Sequence, residues 1–141
     1  MSDSEVLPRL WIGAAPSPER ALIGGYDLIA LTAKEYQPPQ TAFRAKLLRM
    51  PIDDSLAPTT EELMWAFLTG RRVAHAVADG KKTLVSCRMG KNRSGLVTAL
   101  AARELLGLEG AMAAHLVRQR RNGALSNPAF YHFLTTLPRA R

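Results

Sequence analysis

The chain has 141 residues, 47% of them apolar and 22% charged, with a single cysteine and a formal charge of +7. That length suits one domain, and that balance belongs to an ordinary soluble globular chain rather than to a disordered or membrane-spanning one. A lone thiol excludes an intramolecular disulfide and fits a reducing, cytoplasmic setting, while the positive excess points to acidic partners such as phosphorylated ligands.

No linker, repeat or low-complexity stretch divides the sequence, so residues 1–141 are read as one domain. The most apolar region, 96–117, is interrupted by Arg103, Glu104 and Glu109 and reads as packed helix, not as a transmembrane span. The start, Met1-Ser2-Asp3-Ser4-Glu5, has neither a basic opening nor an apolar core, so no secretory signal is expected. Asp3 falls at an end expected to fray. Part of the positive charge lies in Arg118, Arg120, Arg121, Arg139 and Arg141, a cluster read as solvated helix faces.

In chain order, short apolar runs at 9–13, 27–32 and 46–52 predict strands, because flanking Pro and Gly leave no room for helices. Gln37-Pro38-Pro39-Gln40 is a loop, and another follows at 53–58. Thr59 then predicts a helix start, since its hydroxyl can form a capping box with Glu62. Leu63, Phe67, Ala74 and Val77 recur at roughly helical spacing, and Gly80 marks the end. The stretch 82–87 predicts a strand, with helices over 94–106 and about 109–121. A last helix opens at Asn127-Pro128, an N-cap followed by proline at the first helical position. This alternation predicts an α/β fold: a central twisted mixed, partly parallel sheet flanked by helices.

The segment Val85-Ser86-Cys87-Arg88-Met89-Gly90-Lys91-Asn92-Arg93-Ser94-Gly95 carries the chemistry. It puts a thiol at the end of a strand, followed by a tight loop opening into a helix. Backbone N–H groups of Arg88, Met89, Gly90, Lys91, Asn92 and Arg93 can converge there on an anion, helped by the positive field of the helix N-terminus. That field, with Arg88, Lys91 and Arg93, favours a thiolate at Cys87 over a thiol. Gly90 permits a positive φ. Arg93, six residues past the cysteine, offers a planar fork able to hold two phosphate oxygens.

These residues resemble the Cys-x5-Arg-Ser/Thr signature of the cysteine-based protein tyrosine phosphatase superfamily, with Gly90 where that family has glycine. The likeness is greatest to the dual-specificity branch. Leu7-Pro8-Arg9-Leu10-Trp11-Ile12-Gly13 resembles its N-terminal strand, 27–32 its second strand, and Met50-Pro51-Ile52-Asp53-Asp54 the segment bearing its general acid. Residues 117–130, with Arg121, Asn127 and Phe130, are similar to its C-terminal region. The family usually has histidine before the nucleophile. Here that position is Ser86, whose hydroxyl replaces some of the histidine's bonding but not its geometry.

The resemblance implies two steps: attack by Cys87 on phosphorus, then hydrolysis of the phosphocysteine, with Arg93 and the loop amides holding the phosphoryl oxygens. Ser94 would stabilise the departing thiolate, and no metal or organic cofactor is required. A general acid must come from five aspartates: Asp3, Asp27, Asp53, Asp54 and Asp79. Asp3 lies at the terminus, Asp27 starts a strand and Asp79 ends a helix. Asp53 and Asp54 sit on a loop after a strand, from which an acid can reach the site. The family's Pro-x-x-Asp pattern, read from Pro51, gives Asp54.

The expected activity is that of a protein tyrosine or dual-specificity phosphatase acting on a phosphoprotein. Arg88 and Lys91 add charge inside the loop and make a phosphoinositide the leading alternative substrate, with RNA 5′-phosphate behind it. No aromatic–basic interleaving points to stable nucleic-acid binding. Two other readings are a catalytically weak phospho-binding module, prompted by Ser86, and a sulfur-transferase, disfavoured by the Arg93-Ser94 pair. His75, His115 and His132 fall on predicted helices without metal-ligand spacing. Asn127 has a sufficient explanation as an N-cap, and Trp11 and Trp65 read as packing residues.

Overall fold

Thr83–Cys87 has no charged residue, and every one of its five side chains is buried. A strand of that kind needs cover on both faces and both edges, so it belongs in the middle of a sheet. The computed structural model, which describes residues 2–140, places it there.

The strands are β1 (Ser4–Leu7), β2 (Leu10–Ala14), β3 (Leu28–Ala33), β4 (Lys46–Ile52) and β5 (Thr83–Cys87). The helices are α1 (Pro18–Gly24), α2 (Thr60–Ala78), α3 (Arg93–Leu106), α4 (Gly110–Arg120) and α5 (Pro128–Thr135), with a 3₁₀ turn at Gln40–Ala42. Sheet order is β1-β2-β5-β3-β4. β1 runs antiparallel to β2, and all other neighbours are parallel. The fold is therefore the expected single α/β domain around a mixed sheet.

Strand alternation builds two cores. Leu10, Ile12, Ala30, Met50, Ile52 and Val85 face a large cluster with the inner faces of α2, α3, α4 and α5. Trp11, Ile29, Leu31, Leu47 and Leu84 face the other way and pack with Ala21, Tyr26 and Phe43. α3 is buried from Arg93 through Arg103, which is why its sequence is apolar on almost every side. Each large aliphatic side chain hidden this way stabilises by roughly 1.5–3 kcal/mol.

Several boundaries and two elements differ from expectation. β2 and β3 lie one residue further along than the predicted runs, and β5 starts one residue later. α2 ends at Ala78 with Asp79 as its cap, before Gly80. α3 begins at Arg93, and Glu109 is the N-cap of α4 rather than part of it. β1 and α1 were not anticipated. The chain turns between β1 and β2 at Arg9, whose φ of 69° is unusual for a non-glycine residue. Asp3 is not loose: it accepts hydrogen bonds from Tyr26 Oη at 2.6 Å and from Arg20 at 3.2 Å. Burial, and then that bond, push the Tyr26 hydroxyl's pKa up.

Because β2, β3, β4 and β5 are parallel, the segments that follow them open at one edge of the sheet. β5 lies between β2 and β3, where the strand order is not sequential. Crevices of open α/β sheets form at such points.

Candidate active site

Cys87 ends β5, opposite Ala14 at the end of β2. It is 2% exposed, and its Sγ lies 3.1 Å from the Oγ of Ser94, which is fully buried on the first turn of α3. The side chain of the N-cap residue Asn92 makes no capping bond, so the first amides of α3 have no side-chain cap.

Between them the loop folds around Gly90. Its φ is +67°, and a Cβ there would run into the Gly13 carbonyl and the Ala14 amide. Only glycine lets the loop lie this close to β2. Beneath the loop lies Arg121, 5% exposed. Its Nε donates to Gly90 O (3.0 Å) and Nη2 to Met89 O (3.2 Å). Its Nη1 donates to Ser2 O (2.6 Å) and Ser4 Oγ (3.1 Å). Of the basic cluster read as solvated, Arg118 and Arg120 are exposed, but Arg121 is a strut under the loop. The fork geometry of guanidinium explains how one side chain reaches two successive carbonyls.

Cys87, Arg88, Met89, Lys91, Asn92 and Arg93 line one cleft of about 550 Å³, together with Asp53, Asp54 and Glu35. Most of the predicted residues thus line one cleft, while Gly90 and Ser94 are buried and Ser94 reaches the site through Cys87. Arg93 is 6% exposed. The Glu35 carboxylate takes Nη1 at 2.6 Å and Nη2 at 2.8 Å, and Ile52 O accepts from Nη1 at 2.9 Å. The remaining donor, Nε, is buried and, among the described residues, without a partner. The bond from Arg93 holds the Glu35 carboxyl at a pKa of about 2, and the same bond raises that of Arg93. Glu35 has no counterpart in the sequence reading. It lies 58 residues from Arg93, in the segment after β3, and no local motif announces it.

Asp53 and Asp54 diverge. Asp53 is largely exposed and 3.7 Å from Lys34. Asp54 accepts from Asn92 Nδ2 at 3.0 Å and from Asn127 Nδ2 at 2.7 Å. Ser86 does not substitute for a histidine at the thiol. Its Oγ donates to Ala30 O on β3 at 3.1 Å, while its carbonyl accepts from Thr32 Oγ1 at 2.8 Å. The hydroxyl is occupied within the sheet, on the short side chain that a strand buried on both faces admits. The three histidines lie on α2, α4 and α5 as expected, Trp11 is half-buried in the smaller core, and Trp65 is 42% exposed.

No protein-family model and no curated protein matches the chain. Solved structures do. Human DUSP28 is 28% identical over 95% of this chain and 90% of its own, with a TM-score of 0.80. A mouse putative dual specificity phosphatase complexed with zinc tungstate is also 28% identical, over 95% of this chain and 84% of its own, with a TM-score of 0.79. PTPMT1, at 16% identity over 96% and 92%, shares the fold with a TM-score of 0.79. By these matches the chain is similar, in fold and at 28% in sequence, to dual-specificity-type phosphatases of the cysteine-based protein tyrosine phosphatase superfamily.

Proposed function

We propose that the chain is a metal-independent phosphomonoester hydrolase working through a phosphocysteine on Cys87, with a phosphoprotein as substrate. The observation that carries this reading is the buried Nε of Arg93, without a partner among the described residues, on a side chain that lines the same cleft as Cys87. A buried guanidinium donor without a partner costs about 1–3 kcal/mol, a cost that a bound oxyanion removes.

In the first step Cys87 Sγ attacks phosphorus as the bond to the leaving oxygen breaks, and Asp54 gives that oxygen its proton. In the second, Asp54 takes a proton from water, water oxygen attacks phosphorus, and the S–P bond breaks to return the thiolate. Ser94 Oγ donates to that thiolate. Arg93 holds equatorial oxygens through Nε and Nη2, while Glu35 fixes its outer edge. This division of labour is positioning and charge stabilisation with one covalent intermediate.

One observation favours a second substrate class. Arg88 and Lys91 line the cleft, and no carboxylate lies within 4.0 Å of either among the described residues. Two free cations beside the reacting phosphate suit a multiply phosphorylated ligand such as a phosphoinositide.

The test is Cys87→Ser with p-nitrophenyl phosphate. The variant should fold and lose hydrolysis, and chelators should leave the native rate unchanged. Activity surviving in Cys87→Ser, or lost to a chelator, contradicts the proposal.

A further inference from the structure

Asp54 sits on an exposed loop between β4 and α2, a poor place from which to deliver a proton accurately unless something holds it. Two asparagines do so. Asn92, within the phosphate-facing loop, accepts at Oδ1 from the Asn127 backbone N–H (2.9 Å) and from Ser126 Oγ (3.3 Å). Asn127, 4% exposed, accepts at Oδ1 from the N–H groups of Ala129 (2.9 Å) and Phe130 (3.2 Å), capping α5. In each amide, backbone donors fix which end is oxygen. Both therefore have only N–H to turn toward Asp54. The Asn127 amide also donates to Ser55 O at 2.8 Å, so it pins the loop backbone as well as the carboxylate.

We infer that Asn92 and Asn127 are positioning residues that lock the Asp54 carboxylate onto the phosphate-facing loop and α5. Capping and clamping use opposite ends of one Asn127 side chain. The cap alone accounts for Oδ1; Nδ2 is left for Asp54 and Ser55. Asn92 joins three segments distant in sequence: its own loop, the Asp54 loop and the start of α5. The inference rests on Asp54 being the acid. Misplacement of a reacting group by about 1 Å can cost on the order of 10²-fold, so the clamp acts on the proton-transfer step rather than on phosphate binding.

The experiment compares kcat/KM, which reads only the first, leaving-group-dependent step, on p-nitrophenyl phosphate, whose leaving group needs little protonation, and on phenyl phosphate, whose leaving group needs it. Asn127→Ser keeps a good helix cap but is too short to reach Asp54. Asn92→Ala leaves the α5 cap side chain untouched and gives an independent reading. Each should raise the ratio of the two kcat/KM values by about tenfold or more, within the span of general-acid assistance. Asp54→Asn, measured alongside, should raise it further. Should Asp54→Asn raise the ratio while neither asparagine variant does, the clamp is refuted and the acid assignment stands. Should Asp54→Asn leave the ratio unchanged, the acid assignment falls and this inference with it. A loss equal for both substrates in Asn92→Ala and Asn127→Ser means a structural role only and overturns the proposal.

Discussion

Glu35 and Arg93 meet edge to edge, carboxylate to guanidinium, at 2.6 Å and 2.8 Å. The contact occupies Nη1 and one side of Nη2 and leaves Nε without a partner among the described residues. Glu35→Gln keeps one acceptor but loses the charge and the second acceptor. We expect kcat/KM to fall by roughly 10-fold, on the order of one lost charge-assisted bond, with the loss shared by all leaving groups. A loss confined to poor leaving groups would put Glu35 in proton transfer instead.

The same pair predicts a pH dependence. Glu35 has a folded pKa of about 2, below its ordinary 4.5. A carboxyl depressed on folding stabilises fully above the ordinary value and loses that contribution as pH falls toward the folded one. The difference in melting temperature between the native chain and Glu35→Gln should therefore be level above pH 5 and shrink between pH 4.5 and 2. Glu35 is 45% exposed, so solvent screens the effect and keeps it small. A difference that grows on acidification would contradict the assignment.

Arg121→Ala should both destabilise the fold and disable the site. It leaves the Gly90 and Met89 carbonyls without that donor, and the buried one, Gly90 O, is worth about 1–3 kcal/mol. Arg121→Lys, a point charge in place of a fork, should recover part of the melting temperature but little of the activity. Thermal unfolding and kcat measured on the same preparations separate the two.

Gly90→Ala faces two penalties at once, a positive φ and a Cβ directed into the Gly13 carbonyl. The backbone term alone is of order 1–3 kcal/mol. A drop in melting temperature with a larger proportional loss of turnover is the expected result. Unchanged turnover would mean that the loop relaxes away from β2 without consequence.

Ser86→Ala removes a hydroxyl bonded to Ala30 O, costing about 1 kcal/mol of stability. Since that hydroxyl does not reach the thiol, the pH profile of Cys87 alkylation by iodoacetate should not move. A displaced profile would show that Ser86 acts on Cys87 after all.

What the sequence revealed and what it hid divides along the range of the interactions. The Thr59–Glu62 capping box, the Asn127-Pro128 helix start and the strand–loop–helix around Cys87 are written within a few residues, and all three are found. β1 is four residues long and gains its place only by pairing with β2 across the unusual turn at Arg9. α1 had signals in Ser17 and Pro18, but only Ala21 of its seven residues is buried, so no apolar rhythm marks it. Glu35 and Arg121 owe their roles to partners 58 and 31 residues away, a relation that neither residue type nor spacing encodes. Ser86 was misjudged for the same reason: adjacency to Cys87 in sequence suggested a shared task, whereas strand alternation turns the two side chains to opposite faces.

Arg121 also ties the order of folding to the appearance of activity. Its guanidinium joins Ser2, 119 residues away, to Gly90, 31 residues away, so the strut is complete only after a closure of 119 residues. Contacts of such separation form late, because the entropy of closing them comes before any reward. Helical circular dichroism should therefore recover in refolding before turnover does. The interval between the two signals measures how long the assembled sheet and helices wait for the strut beneath Met89 and Gly90.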